Sequence, residues 1–100
     1  MRENKVKSYL GFAIRSGAVV FGSDNLFASK KMVILVLICS TQNDKVTNKV
    51  IKFCEDKKIK YIKLENIILG DLCSRDNCKV LGVTDNSLAN AIMNEFQMEN

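Results

Sequence analysis

The residues of this chain with the most chemistry are four cysteines and two polar clusters. The cysteines are Cys39, Cys54, Cys73 and Cys78; the clusters are Gly22-Ser23-Asp24-Asn25 and Ser74-Arg75-Asp76-Asn77. Histidine is absent, which removes the commonest general base, metal ligand and pH switch together. Cys73 and Cys78 have a spacing that zinc sites sometimes use. With no histidine, and with Cys39 and Cys54 on other elements, neither a four-ligand metal site nor a cofactor is expected. A disulfide framework suits small secreted chains with poor cores, whereas 47% of these residues are hydrophobic, so reduced thiols are expected. Cys39 carries the one enzymatic hypothesis. It ends an apolar run and precedes Ser40-Thr41 at a helix start, where the positive helix end lowers a thiol pKa and favours an anion, the chemistry of a thiol phosphocarrier. No glycines form a phosphate loop beside it, and a partly buried structural thiol is the simpler reading.

Hydrophobic spacing sets out the elements that must position these groups. Val6, Tyr9, Leu10, Ala13 and Ile14 fall on one helical face, and Gly17 is placed to end that helix in a left-handed turn. Ala18 to Phe21 reads as a short strand stopped by Gly22; Ser23 or Asp24 then caps a second helix running through Lys31. Met32 to Ile38 is apolar without alternation, the pattern of a central strand covered on both faces. Thr41 and Asp44 approximate a capping box. The helix they open carries Val46, Val50, Phe53 and Cys54 inward and Lys45, Lys49 and Lys52 outward. Tyr61 to Leu64 is a third strand, followed by a helix of about two turns and the polar loop Ser74 to Asn77. Lys79 to Val83 makes a fourth strand, and Asp85 or Asn86 caps a last helix with Leu88, Ala89, Ile92 and Phe96 inside. Such alternation predicts a three-layer α/β/α sandwich around a sheet of about four strands, in one domain spanning residues 1–100.

Charge adds a partner class. The net charge is +4, and seven of the fifteen basic residues lie between Lys45 and Lys63, opposed there only by Glu55 and Asp56. A basic face of this kind suits an anionic partner or a solvated helix. The longest apolar run, Met32 to Cys39, is far short of the roughly 20 residues a membrane helix needs. No apolar stretch with a cleavage site follows the first residues, so a cytoplasmic protein with no membrane partner is expected.

Five stretches occur together in a telling order: Leu10-Gly11-Phe12-Ala13-Ile14-Arg15-Ser16-Gly17, Gly22, Leu35-Val36-Leu37-Ile38, Leu69-Gly70 and Leu81-Gly82-Val83-Thr84-Asp85. Over residues 9–92 they resemble the ribosomal protein L-seven-Ae family of kink-turn RNA binders, most closely its small bacterial YlxQ-type members. The resemblance implies a mixed central sheet and RNA recognition without catalysis. Its implied partners are structured RNA, ribosomal RNA included, and ribosome-associated proteins. In that family backbone N–H groups at the start of the second helix meet phosphates, while an Asn-Glu pair reads tandem G·A base pairs. A loop before the last strand closes over a flipped-out nucleotide. By resemblance, the first element falls on Gly22, Ser23, Asp24 and Asn25, and the second on Ser74 to Cys78, with Ser74, Arg75, Asp76 and Asn77 its candidate contacts.

The sequence also departs from the family pattern. Asp24 then Asn25 presents the same two functional groups in reversed order, and Ala18 and Ala28 stand where lysines are usual. The stretch from Gly22 to the central strand is about two residues shorter, with Lys30 and Lys31 available to restore charge. Each missing cation removes a phosphate contact. The alternative is therefore a protein-interaction module on the same scaffold that has lost kink-turn binding, with a phosphocarrier acting through Cys39 third.

Overall fold

The chain is described here by a computed structural model covering residues 3–97. Helix α1, Glu3–Arg15, buries Val6, Leu10 and Ala13 along one stripe. It ends in a Schellman turn: the Ala18 N–H donates to the Ala13 carbonyl at 2.7 Å and the Gly17 N–H to the Ile14 carbonyl at 3.1 Å. Gly17 takes φ 73° there, as its place in the sequence predicts. The turn delivers the chain straight into β1, Val19–Phe21.

Helix α2 spans Ser23–Ala28 and stops short of Lys31. Ser29 is extended, and its hydroxyl accepts the Lys31 N–H at 3.1 Å, so the chain turns back early towards the sheet. The expected cap at Ser23 or Asp24 is also displaced. Gly22 is the N-cap, with φ 85° and ψ 155°, a backbone region open essentially to glycine alone. Strand β2, Leu35–Ile38, is buried at every position, as a central strand should be.

Helix α3, Asp44–Lys57, is capped by Asn43, whose side chain accepts the Val46 N–H at 2.8 Å. The Thr41–Asp44 box does not form, because the Thr41 hydroxyl engages Cys39 and Lys79 instead. Strand β3, Lys60–Lys63, precedes α4, Leu69–Cys73, which has five residues rather than two turns. Strand β4, Val80–Val83, leads to α5, Asn86–Gln97, where the Asp85 carboxylate accepts the Leu88 N–H at 2.8 Å. Among the described residues no helix is long and apolar enough to cross a membrane.

The sheet order is β1-β4-β2-β3, with β4 antiparallel to both β1 and β2 and β3 parallel to β2. Alternation along the strands makes two cores. Leu35, Leu37, Leu81 and Val83 pack with Val6 and Leu10 of α1, Leu69 of α4 and Ile92 of α5. Val36, Ile38 and Val80 pack with Leu26 of α2 and Val50 and Cys54 of α3. The architecture is thus a three-layer α/β/α sandwich with a mixed sheet. Gly82 faces α2: a Cβ there would lie 3.2 Å from Val33 and 3.4 Å from Leu26, so its absence lets α2 sit close. One topological result matters for function. Because β4 runs against β1 and β2, the ends of β1 and β2 and the start of β4 meet at one end of the sheet.

Candidate nucleic-acid interface

At that end a cleft of about 330 Å³ is lined by Gly22, Ser23, Asp24, Asn25, Gln42, Asn77, Lys79 and Val80. Its first wall is the β1–α2 junction. The Gly22 N–H donates to the Val80 carbonyl at 2.8 Å and the Gly22 carbonyl accepts the Leu26 N–H at 3.0 Å, so glycine joins strand, neighbouring strand and helix. No side chain caps the first turn of α2, which leaves its N–H groups turned to the cleft end. The Asn25 amide donates to the Phe21 carbonyl at 2.8 Å, fixing that side chain while its oxygen stays free to accept. Asp24 is exposed. A Cβ on Gly22 would meet nothing within 4 Å, so the surface there is open.

The second wall is the loop between α4 and β4. Ser74 and Asn77 both take left-handed backbone conformations, φ 56° and 63°, giving a sharp reversal. The loop is anchored twice. The Arg75 N–H donates to the Gly70 carbonyl at 2.9 Å, and the Arg75 guanidinium lies 4.0 Å from the centroid of the Phe21 ring, a cation–π contact. Gly70 allows the first anchor, since a Cβ there would lie 2.6 Å from the Arg75 carbonyl oxygen. Lys79 closes the third side and donates to the Thr41 hydroxyl.

Behind the cleft lie the thiols. Burial pushes the Cys39 thiol up, yet hydrogen bonds from Thr41 and the Leu69 N–H, with the Lys79 charge, hold it below the ordinary thiol range. Its sulfur sits 3.2 Å from the Thr41 hydroxyl and 3.4 Å from the Leu69 nitrogen. Only 1% of Cys39 is exposed, so it ties β2 to α4 and offers no approach to a phosphoryl donor. Cys73 and Cys78 titrate as a pair, the hydrogen bond from Cys78 holding Cys73 down while Cys78 is pushed up. Cys54 is pushed up to about 11 by burial and the neighbouring Glu55 charge. All four are free thiols. Among the described residues no group of three His, Cys, Asp or Glu could hold a metal ion.

Of the residues singled out from sequence, Gly22, Ser23, Asp24, Asn25 and Asn77 come together in the cleft. Arg75 supports it from Phe21. Ser74 lines a different cleft, beside Gly11, Phe12 and Arg15 of α1, and Asp76 is exposed on the loop. Lys30 and Lys31 are not brought in. They follow the far end of α2, in a cleft with Met32, Phe53 and Lys57, and the Lys31 ammonium donates to the Gly17 carbonyl at 3.1 Å. Sequence reasoning missed Gln42, Lys79 and Gly70. Only strand order, with β4 between β1 and β2, shows that the chain after β2 and the residue before β4 share an end.

A cleft of one carboxylate, three amides, a hydroxyl and one ammonium offers the donors, acceptors and cation that hydrogen-bonding edges and phosphates require. The chain matches the Ribosomal protein L7Ae/L30e/S12e/Gadd45 family over residues 4–93, and it belongs to that family. The family is a non-catalytic scaffold whose members generally bind structured RNA. Two solved structures share the fold. A protein of unknown function from Bacillus halodurans C superposes with a TM-score of 0.83 at 22% identity, covering 93% of this chain and 97% of that one. The Giardia lamblia 15.5kD RNA binding protein gives 0.69 at 17% identity, covering 95% and 84%. No curated protein matches in sequence.

Proposed function

We propose that this protein binds structured, kink-turn-like RNA, ribosomal RNA included, as a cytoplasmic, YlxQ-type member of its family. The observation that carries the reading is the convergence of Gly22, Ser23, Asp24, Asn25 and Asn77 on one cleft beside Lys79. In this reading the Asp24 carboxylate accepts from a guanine edge, the Asn25 oxygen accepts, the Gln42 NH2 donates, and the Asn77 amide does either as the base requires. The uncapped first turn of α2 and the Lys79 ammonium take phosphates. Arg75, Ser74 and Asp76 act as the loop that covers an extruded nucleotide, with Phe21 holding Arg75 in place. Lys30 and Lys31 lie outside this primary site.

The test is Asp24→Ala combined with Asn25→Ala, measured against a kink-turn RNA by fluorescence anisotropy. Loss of base contacts worth about 1–3 kcal/mol each makes the expected fall in affinity ten-fold or more. Unchanged affinity ends the reading. A second reading, a protein-interaction module, draws on one observation: Met32 is 79% exposed and Phe27 39% exposed, and neither lines the cleft. Nucleic acid that copurifies at low salt, seen as excess absorbance at 260 nm, favours the first reading over the second.

A further inference from the structure

Helix α3 carries a feature that the cleft does not use. Lys45, Lys49 and Lys52 are all exposed and fall at i, i+4 and i+7, opposite the buried Thr47, Val50 and Cys54. Each lysine therefore has another lysine as a helical neighbour, an arrangement that repels itself. Among the described residues none of the three takes an ion-pair partner. The acidic side chains on this helix are Asp44 before the row and Glu55 and Asp56 after it, the last two three and four residues beyond Lys52.

The row starts at the cleft. Gln42 lines the cleft and Asn43, the next residue, caps α3. Helix α2, whose first turn is the other wall, packs on α3 through Phe27 and Phe53, with ring centroids 5.2 Å apart. Both helices thus cover the same face of the sheet, and the row runs from the cleft end about 10 Å along it, at 1.5 Å per residue.

We infer that Lys45, Lys49 and Lys52 form a phosphate-binding track for the double-helical stem that flanks the RNA motif in the cleft. The inference rests on the RNA-binding reading above. A stem leaving the cleft over the α2–α3 layer passes this row, whose lysines are spaced about one turn apart and follow a backbone rather than read bases. Neutralising phosphates releases counterions, so the track adds to affinity and to its salt dependence without adding sequence preference.

The experiment compares two kink-turn RNAs, one with a minimal stem and one extended by about ten base pairs, the length of roughly one helical turn. The proteins are the full chain, Lys45→Gln/Lys49→Gln/Lys52→Gln, and a charge control, Lys5→Gln/Lys60→Gln, on exposed positions of α1 and of the edge strand β3. Glutamine keeps helix propensity close to that of lysine, and matched thermal melts check folding. The wild type is expected to favour the longer stem by about ten-fold at 0.1 M salt. The triple variant loses that preference, and its log–log salt slope falls by about 2 to 3, as three lost phosphate contacts require. The control keeps both. If the triple variant matches wild type on both RNAs while the Asp24–Asn25 variant has lost binding, the track is wrong and the cleft reading stands. If the wild type binds neither RNA, both fall. Equal losses in the triple variant and the control, scaled per charge, also overturn the track, because they show a general charge effect.

Discussion

Replacing Gly70 by alanine sets two effects of opposite sign against each other. Gly70 is the second residue of α4, and in an open helix position the change from glycine to alanine stabilises by up to about 1 kcal/mol. Here the new Cβ would lie 2.6 Å from the Arg75 carbonyl oxygen and 3.6 Å from its carbon. An ordinary carbon–oxygen approach is about 3.3 Å or more, so the loop must retreat by roughly 0.7 Å. That loop cannot move freely, since the Arg75 N–H is bonded to the Gly70 carbonyl at 2.9 Å and the guanidinium rests 4.0 Å from the Phe21 centroid. Overpacking of this kind costs about 1–3 kcal/mol. After the propensity gain, a net loss of about 1 kcal/mol is expected, or roughly 4–8 °C in Tm for a domain of this size. Urea unfolding measures it directly, as a lower midpoint at unchanged slope. A variant as stable as wild type, or more so, refutes the packing argument, because propensity alone predicts that result. RNA affinity gives a second reading of the same change: if stability falls and affinity does not, the α4–β4 loop is no part of the site.

Gly22→Ala is governed by conformation alone, since the added methyl meets nothing within 4 Å but must adopt φ 85° and ψ 155°. The expected cost is about 1–3 kcal/mol, and a variant with wild-type stability in urea would show that the junction relaxes into an ordinary extended conformation. Cys54 predicts a pH effect. Its thiol is pushed up to about 11 in the fold against an ordinary 9.0, so this contribution is fully present below pH 9 and is lost as pH rises through 11, by roughly 2–3 kcal/mol. The stability difference between wild type and Cys54→Ala should shrink across that window; a constant difference contradicts it.

What the sequence displayed and what it hid divide along a physical line. Helix and strand positions follow from spacing, and Gly17 from the turn chemistry of a helix end, because both are local. The sheet order is not local. Nothing in Val80–Val83 says that β4 lies between β1 and β2, yet that placement brings Lys79 and Gln42 to the cleft. The capping errors have a common source: several residues near each helix start have oxygens fit to cap, and tertiary partners choose among them. Thr41 was available to α3 until Cys39 and Lys79 took its hydroxyl, and Asn43 then capped the helix. Lys30 and Lys31 show the same limit of local reading, since they line a different cleft from Asn25. Asn25 sits in the first turn of α2 and the two lysines follow its last residue, so nearness in sequence does not bring them into one cleft.

Phe21 explains why the two walls of the cleft are one unit. Its carbonyl holds the Asn25 amide at 2.8 Å and its ring holds the Arg75 guanidinium, so a residue outside the recognition motif sets both halves. This bears on the reversed pair. Successive helix positions point about 100° apart, so exchanging amide and carboxylate between positions 24 and 25 does not simply relabel two equivalent arms. At position 25 a carboxylate could not donate to the Phe21 carbonyl, whereas asparagine can. The order Asp24-Asn25 therefore places the only group able to make that internal tie where the tie is made, and leaves the carboxylate exposed at the cleft. In this chain the order of the pair is coupled to the anchoring of the cleft as well as to the groups the cleft presents.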